Sequence, residues 1–182
     1  MGSSERERIQ INGQPVVEID FSAMQIGLLY ARKGIDYWGT YDRDPYTLEG
    51  HEGEGCYRQL CKDCMTYMVA CESKDKAIAT TSYYLPRSYP EASKELPKQL
   101  INQLEAMHAD IADCFYQGLG GSTQYQDSEI AMSILRHFTE KGIPVLGIHD
   151  SFIIERTYRN ELEEKMMDSY SGVTNGATGR VA

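Results

Sequence analysis

Two short apolar strands, one near each end of the chain and each closing on an aspartate, constrain this sequence most: Val16-Val17-Glu18-Ile19-Asp20 and Leu146-Gly147-Ile148-His149-Asp150. Between them the apolar residues recur at helical spacing. Strands gathered at the two ends with helices between, rather than a regular strand–helix alternation, lead to an α+β domain. Its small antiparallel sheet brings Asp20 and Asp150 together from opposite ends of the sequence. Ile9 and Ile11 alternate with polar residues up to Asn12-Gly13, a turn dipeptide, so 16–19 reads as the second arm of a hairpin. Phe152-Ile153-Ile154 reads as the return strand after Asp150.

The helices follow from periodicity and punctuation. Ser22 is placed to cap a helix carrying Met24, Leu28, Leu29 and Ala31, ended at Gly34. Residues 36–55 are rich in Gly, Asp and Tyr and read as loop, with Asp44-Pro45-Tyr46 opening a short helix. Tyr57 to Cys71 is a helix; Lys74 to Tyr89 gives a helical turn or two and then a Tyr/Pro loop. Pro97 sits in the first turn of one long helix with Leu100, Leu104, Met107, Ile111 and Phe115 on one face, stopped by Gly118, Gly120 and Gly121. Further helices are expected over Asp127–Lys141, capped by Gly142, and over Asn160–Tyr170. Residues 1–8 read as a tag or a disordered charge run and 171–182 as a flexible tail. That leaves 9–170 as a single domain with an insertion at about 56–122.

With 182 residues and 41% hydrophobic content the chain can bury a core without disulfide staples. No apolar run reaches the roughly 18 to 20 residues of a bilayer span and no charged-then-apolar leader opens the chain, so no membrane association is expected. Four of the five cysteines (Cys56, Cys61, Cys64, Cys71) crowd together and Cys114 stands apart, a poor disulfide framework that points to a reducing, cytoplasmic setting. Cys61-x-x-Cys64 lacks the second ligand pair of a zinc site and reads as small buried residues on one helix. His51 and His108 read as exposed, His137 as lying on the outer face of its helix, and Met166 and Met167 as packing the last helix. Tyr83, Tyr84 and Tyr89 flank Arg87 in a way that suits base stacking, or simply a wetted tyrosine surface.

The net charge is -9, from 27 Asp and Glu against 18 Lys and Arg, which opposes gripping nucleic acid by surface charge alone. The charge is uneven: residues 58–98 hold seven basic and five acidic residues, the only net-positive stretch. Arg58 and Lys62 lie there, four apart on one helical face, where both can reach the phosphates of one nucleoside triphosphate. They can equally be an ordinary solvated stripe. Two carboxylates at neighbouring strand ends repel each other, and a hard cation such as Mg²⁺ held between them relieves the repulsion. The bland reading is that each Asp merely ends its strand.

Together these residues carry a resemblance. Asp20-Phe21-Ser22-Ala23-Met24-Gln25 ahead of a helix is similar to motif A of the family-A DNA polymerases and the single-subunit phage-type RNA polymerases. Arg58-x-x-x-Lys62 resembles the start of their motif B, and Ile148-His149-Asp150-Ser151-Phe152 resembles motif C in its RNA-polymerase form. Asp44-Pro45-Tyr46 falls at a short acidic-apolar-aromatic signature of the family, and Gln126 at the start of a helix whose Gln touches nucleic acid. The order is the family order over about Val16 to Tyr170.

The resemblance implies a palm sheet with a fingers-like helical insertion, template-directed nucleotide addition, and Mg²⁺ (or Mn²⁺) as cofactor. It makes Asp20 and Asp150 the metal-binding carboxylates, with the Phe21 carbonyl as a further ligand. Arg58, Lys62 and Tyr46 contact the nucleotide, Gln25 occupies the sugar-gate position and favours deoxynucleotides, and Gln126 and His149 sit near a primer-template. A primer 3′-OH then attacks the α-phosphate in line. The chain departs from the family where Ala70-Cys71 stands for the Tyr-Gly of motif B and Ser151 for a second carboxylate after Asp150. The expected partners are a nucleoside triphosphate and a weakly held primer-template, with further domains or a partner protein, as in a core excised from a longer viral or mobile-element protein. The alternatives are a catalytically weakened polymerase-like module that binds a nucleotide or scaffolds, and a metal-dependent nuclease or phosphohydrolase.

Overall fold

The register of the end strands follows from which side chains can be buried. In the computed structural model, the described residues are 6, 8–41, 43–88 (backbone alone at 86–88) and 94–182. The elements in chain order are β1 (Gln10–Ile11), β2 (Gln14–Asp20), α1 (Met24–Arg32), α2 (Tyr37–Thr40), α3 (Gly55–Ala70), α4 (Lys74–Ser88), α5 (Leu96–Met107), α6 (Gly120–Glu140), β3 (Val145–Ile148), β4 (Ser151–Glu155) and α7 (Arg159–Val173). Two 3-10 segments, Ala109–Cys114 and Arg156–Tyr158, follow α5 and β4. The architecture is α+β, with a four-stranded antiparallel sheet in the order β1-β2-β4-β3.

The chain divides into two units, residues 1–41 with 124–182, and residues 42–123. In the first, β2 pairs with β4 so that Ile19 faces Phe152, and Glu18 faces Ile153. Ile19, Phe152 and Ile154 turn to a core shared with Ile130, Ile134 and Phe138 of α6 and Leu162, Met166 and Tyr170 of α7. Burying each such side chain is worth about 1.5–3 kcal/mol. A slip of one residue would expose that set and bury Glu18 and Asp20 instead, so the register is fixed. Asn12 and Gly13, at φ 54 and 74, make the tight turn between β1 and β2.

The second unit packs α3, α4 and α5 against one another. Leu60, Cys61, Cys64, Met65, Met68 and Val69 of α3 are buried, with Ala77, Thr81 and Leu85 of α4 and Leu100, Ile101 and Leu104 of α5. The Cys61 and Cys64 thiols are pushed up by burial to about 11 and about 12, and none of the five cysteines forms a disulfide. No helix among them is long and apolar enough to cross a membrane.

Several sequence expectations are corrected. Ser22 is not the cap of α1; that position is Ala23, in the left-handed region at φ 52, because the Ser22 amide is drawn to the Arg180 carbonyl at 2.7 Å. Asp44-Pro45-Tyr46 forms a turn rather than a helix, since the Asp44 carboxylate accepts from the Tyr46 amide and the Thr47 hydroxyl. The stretch after Lys74 is one helix to Ser88 that includes Tyr83 and Tyr84. Thr81 is buried on its inner face because its hydroxyl bonds to the Ala77 carbonyl at 2.8 Å. Tyr89 lies outside the described residues, as does the Arg87 side chain.

The expected long helix breaks at His108. Far from being exposed, its ring is fully buried and donates from Nε2 to the Pro45 carbonyl at 2.9 Å, and the chain continues as a 3-10 segment. The helix expected from Asp127 starts earlier, at Gly120. Gly120 is no stop here: a Cβ on it would lie 3.4 Å from Ala70, so glycine permits a close approach. His137 is engaged rather than simply outward, with Nε2 2.9 Å from the Glu161 carboxylate.

The two ends are tied as well. Met1–Glu5 and Glu7 lie outside the described residues, but Arg6 pairs with Glu18 at 2.9 Å. The segment after Ser171 is not a free tail. The helix runs on to Val173, Ala177 is buried, and Val181 bridges to Phe21 beside the end of β2.

Candidate functional site

Asp20 and Asp150 are brought to adjacent strand ends. Asp20 is the last residue of β2 and stands opposite Ser151, the first of β4, and the Phe21 amide donates to the Asp150 carbonyl at 3.1 Å. Asp20 is exposed and Asp150 half-buried. Asp150 lies in the two-residue turn joining β3 to β4, whose first residue, His149, is exposed and held at φ 55.

Side chains on directly paired residues share a face, so Asp20, Ser151 and Glu18 lie on the sheet face opposite the apolar core. Ser151 is buried, and its hydroxyl shares one proton between Glu18 at 2.8 Å and the Ile148 carbonyl at 3.0 Å. Glu18 spends its other oxygen on Arg6. The acid expected after Asp150 is thus replaced by a hydroxyl that ties β4 to a carboxylate on β2, and the Arg6 cation balances that carboxylate.

Sequence reasoning missed Asp127. It is half-buried in α6, one residue after Gln126. Its carboxyl is raised above the usual range first by burial and then by the negative charge of Asp150, with His149 acting the other way. So α6 brings Gln126 and Asp127 to the neighbourhood of the His149–Asp150 turn. Only its place three residues before the helical run at Ile130 set Asp127 apart in sequence, and that reads as an ordinary first-turn acid. Gln25, the second residue of α1, is half-buried.

The donors suit a hard cation. Asp20, Asp150 and the Phe21 carbonyl all offer oxygens, and Asp127, raised chiefly by its burial and then by Asp150, adds another carboxyl nearby. Among the described residues no three His, Cys, Asp or Glu side chains converge to enclose a metal. Mg²⁺ needs no such cage, since it is usually held by one or two carboxylates together with substrate phosphates.

The second unit carries the two basic candidates. Arg58 and Lys62 share a face of α3, with Lys62 exposed. Arg58 donates from Nε and Nη2 to one Asp44 oxygen at 3.0 and 2.7 Å, and its guanidinium lies 5.3 Å over the Tyr46 ring. Tyr46 is buried, so it meets Arg58 rather than presenting an open aromatic face. Ala70, the residue where the resemblance would place a tyrosine, is exposed at the end of α3 and lies near Gly120, on which a Cβ would come within 3.4 Å of it. Tyr83 and Tyr84 are exposed on α4, and Tyr84 stacks at 5.8 Å on Tyr67. Asp20, Phe21, Gln25, Gln126, His149 and Asp150 therefore belong to the first unit, and Tyr46, Arg58 and Lys62 to the second.

No family model matches this chain, and comparison with curated proteins finds no similar sequence.

Proposed function

We propose that this chain is a nucleotidyltransferase core of the family-A polymerase type, adding nucleotides to a primer on a template. One observation carries the reading. Two aspartates 130 residues apart in sequence, Asp20 at the end of β2 and Asp150 in the turn leading into β4, come to the same end of the two central strands, with the Asp127 carboxyl near Asp150. Carboxylates gathered at one point are oxygen donors of the kind that hold a hard divalent cation together with substrate phosphates.

In this reading Asp20 and Asp150, with the Phe21 carbonyl, hold a divalent cation. When bound it supplies activation of the attacking hydroxyl and charge neutralisation at the leaving diphosphate. Arg58 and Lys62 bind the triphosphate through charge-assisted hydrogen bonds. Gln25, the second residue of α1 and five residues after Asp20, discriminates the sugar, while His149 and Gln126 touch the primer-template. A reducing cytoplasmic setting suits five cysteines that form no disulfide. Ala70 in place of an aromatic favours the catalytically weakened alternative, in which the nucleotide binds and no bond is made.

The test is primer extension with labelled nucleotides in Mg²⁺ or Mn²⁺. Wild type extends a short primer, Asp20→Asn and Asp150→Asn each lower the rate by at least about a thousandfold, and chelation abolishes it. A wild type that binds nucleotide without extending leaves the weakened module. Full activity in either Asn variant removes the metal assignment.

A further inference from the structure

We infer that Asp44 is a positioning residue for Arg58, fixing the guanidinium so that its outer edge is presented to the terminal phosphates of a nucleoside triphosphate. The inference rests on the nucleotide-binding part of the function proposed above, and it adds a residue that the motif resemblance leaves without a role.

Both oxygens of Asp44 are committed. One accepts from the Tyr46 amide at 2.8 Å and the Thr47 hydroxyl at 3.2 Å. The other accepts from Arg58 Nε at 3.0 Å and Nη2 at 2.7 Å. A carboxylate held from one side by its own turn cannot swing with the arginine, so it acts as an anchor. The turn is itself anchored, because the Pro45 carbonyl accepts from the fully buried ring of His108. Position is therefore passed from the core of the unit through His108 to Pro45, Asp44 and finally Arg58.

What remains of Arg58 has the right chemistry. A guanidinium carries five N–H donors in a rigid plane. Asp44 takes the Nε edge; the Nη1 hydrogens and the second Nη2 hydrogen have no acceptor among the described residues. That outer edge matches two oxygens of one phosphate. The Arg58 side chain is 42% exposed, open to a ligand, and the Tyr46 ring beneath it limits the tilt of the plane. Lys62, one turn along α3, adds a point charge on the same face. The opposite possibility is that Asp44 competes with phosphate for Arg58. Competition predicts tighter phosphate binding when Asp44 loses its charge, whereas positioning predicts weaker binding.

The experiment titrates inorganic tripolyphosphate into the full chain by calorimetry, which reads phosphate binding without requiring catalysis. Asp44→Asn is expected to weaken binding about tenfold, the scale of one oriented charge-assisted hydrogen bond. Arg58→Ala weakens it at least as much, and the double variant binds no worse than Arg58→Ala alone, because Asp44 acts only through Arg58. Arg58→Lys keeps the charge at an exposed position but not the fork, and does not restore wild-type affinity. Binding by Asp44→Asn that equals or exceeds wild type, losses that add fully in the double variant, or full affinity in Arg58→Lys would each overturn the positioning role while leaving the nucleotide reading in place. A wild type that takes up no tripolyphosphate overturns both.

Discussion

His149 and Ala23 hold left-handed backbone, at φ 55 and φ 52, one residue before Asp150 and three after Asp20. For an L-residue other than Gly or Asn this conformation costs roughly 1–2 kcal/mol. At Asn12 and Gly13 the same region is occupied cheaply, because an Asn-Gly turn favours it. The same left-handed region is also occupied at Tyr116 and Asn175, away from the two aspartates, at φ 61 and 56. His149→Gly removes the side-chain penalty and adds about 0.5–1 kcal/mol of unfolded-state entropy. Its melting temperature is accordingly expected to hold or to rise by up to about 4 °C, while primer extension falls with the loss of the imidazole. Thermal denaturation by circular dichroism decides it: a drop of several degrees would mean that the His149 ring stabilises the turn.

At the scale of elements, the C-terminal segment is a structural strap. Ala182 exchanges two backbone hydrogen bonds with Asp20, each 3.0 Å, and the Ser22 amide bonds to Arg180. Arg180 lies 5.0 Å over the Trp38 ring, and Thr178 donates to Asp36 at 2.6 Å. Together these cover the edge of β2 that β1 is too short to reach. Gly179 is the weak point, since a Cβ there would meet the Tyr170 ring at 3.2 Å and Met167 Sδ at 3.3 Å. Gly179→Val is expected to lift the strap, losing two or three backbone bonds worth about 1–3 kcal/mol in all, and to speed hydrogen exchange at the Asp20 and Ser22 amides. Unchanged protection at both would show that the strap adjusts.

This strap also shows where the sequence was legible and where it was not. The hairpin at Asn12-Gly13, the β3–β4 turn at Asp150 and the apolar faces of α1, α6 and α7 follow from local pattern. They gave both the α+β class and the pairing of the two aspartates. Ser171 to Ala182 is rich in Gly, Thr and Asn and has no pattern of its own, because its order comes from bonds to β2 that lie distant in sequence. His108 was hidden for the same reason: a polar ring is buried only because a carbonyl of the Asp44 turn receives its proton. Asp44 and Asp127 read as a turn residue and a helix-start residue, and their partners, Arg58 and Asp150, become visible only when the chain is folded.

For the molecule as a whole, charge has to be counted by structural unit rather than by stretch of sequence. The net-positive segment 58–98 belongs to a unit, residues 42–123, with eight basic and thirteen acidic residues; the other unit has ten and fourteen. Both are acidic, so neither offers a broad cationic surface to a phosphate backbone. If Arg58 and Lys62 are taken by the incoming triphosphate, few cations remain for the primer-template. Each phosphate neutralised contributes about -0.9 to the slope of log K against log salt. Binding of a labelled primer-template, followed by fluorescence anisotropy between about 50 and 200 mM salt, is therefore expected to be weak, with a slope no steeper than about -3. In the same mixture an excess of unlabelled trap should limit extension to one or a few nucleotides per encounter. A slope near -8, or long products made past the trap, would show that local cation placement outweighs the net charge of both units and that this chain holds its template unaided.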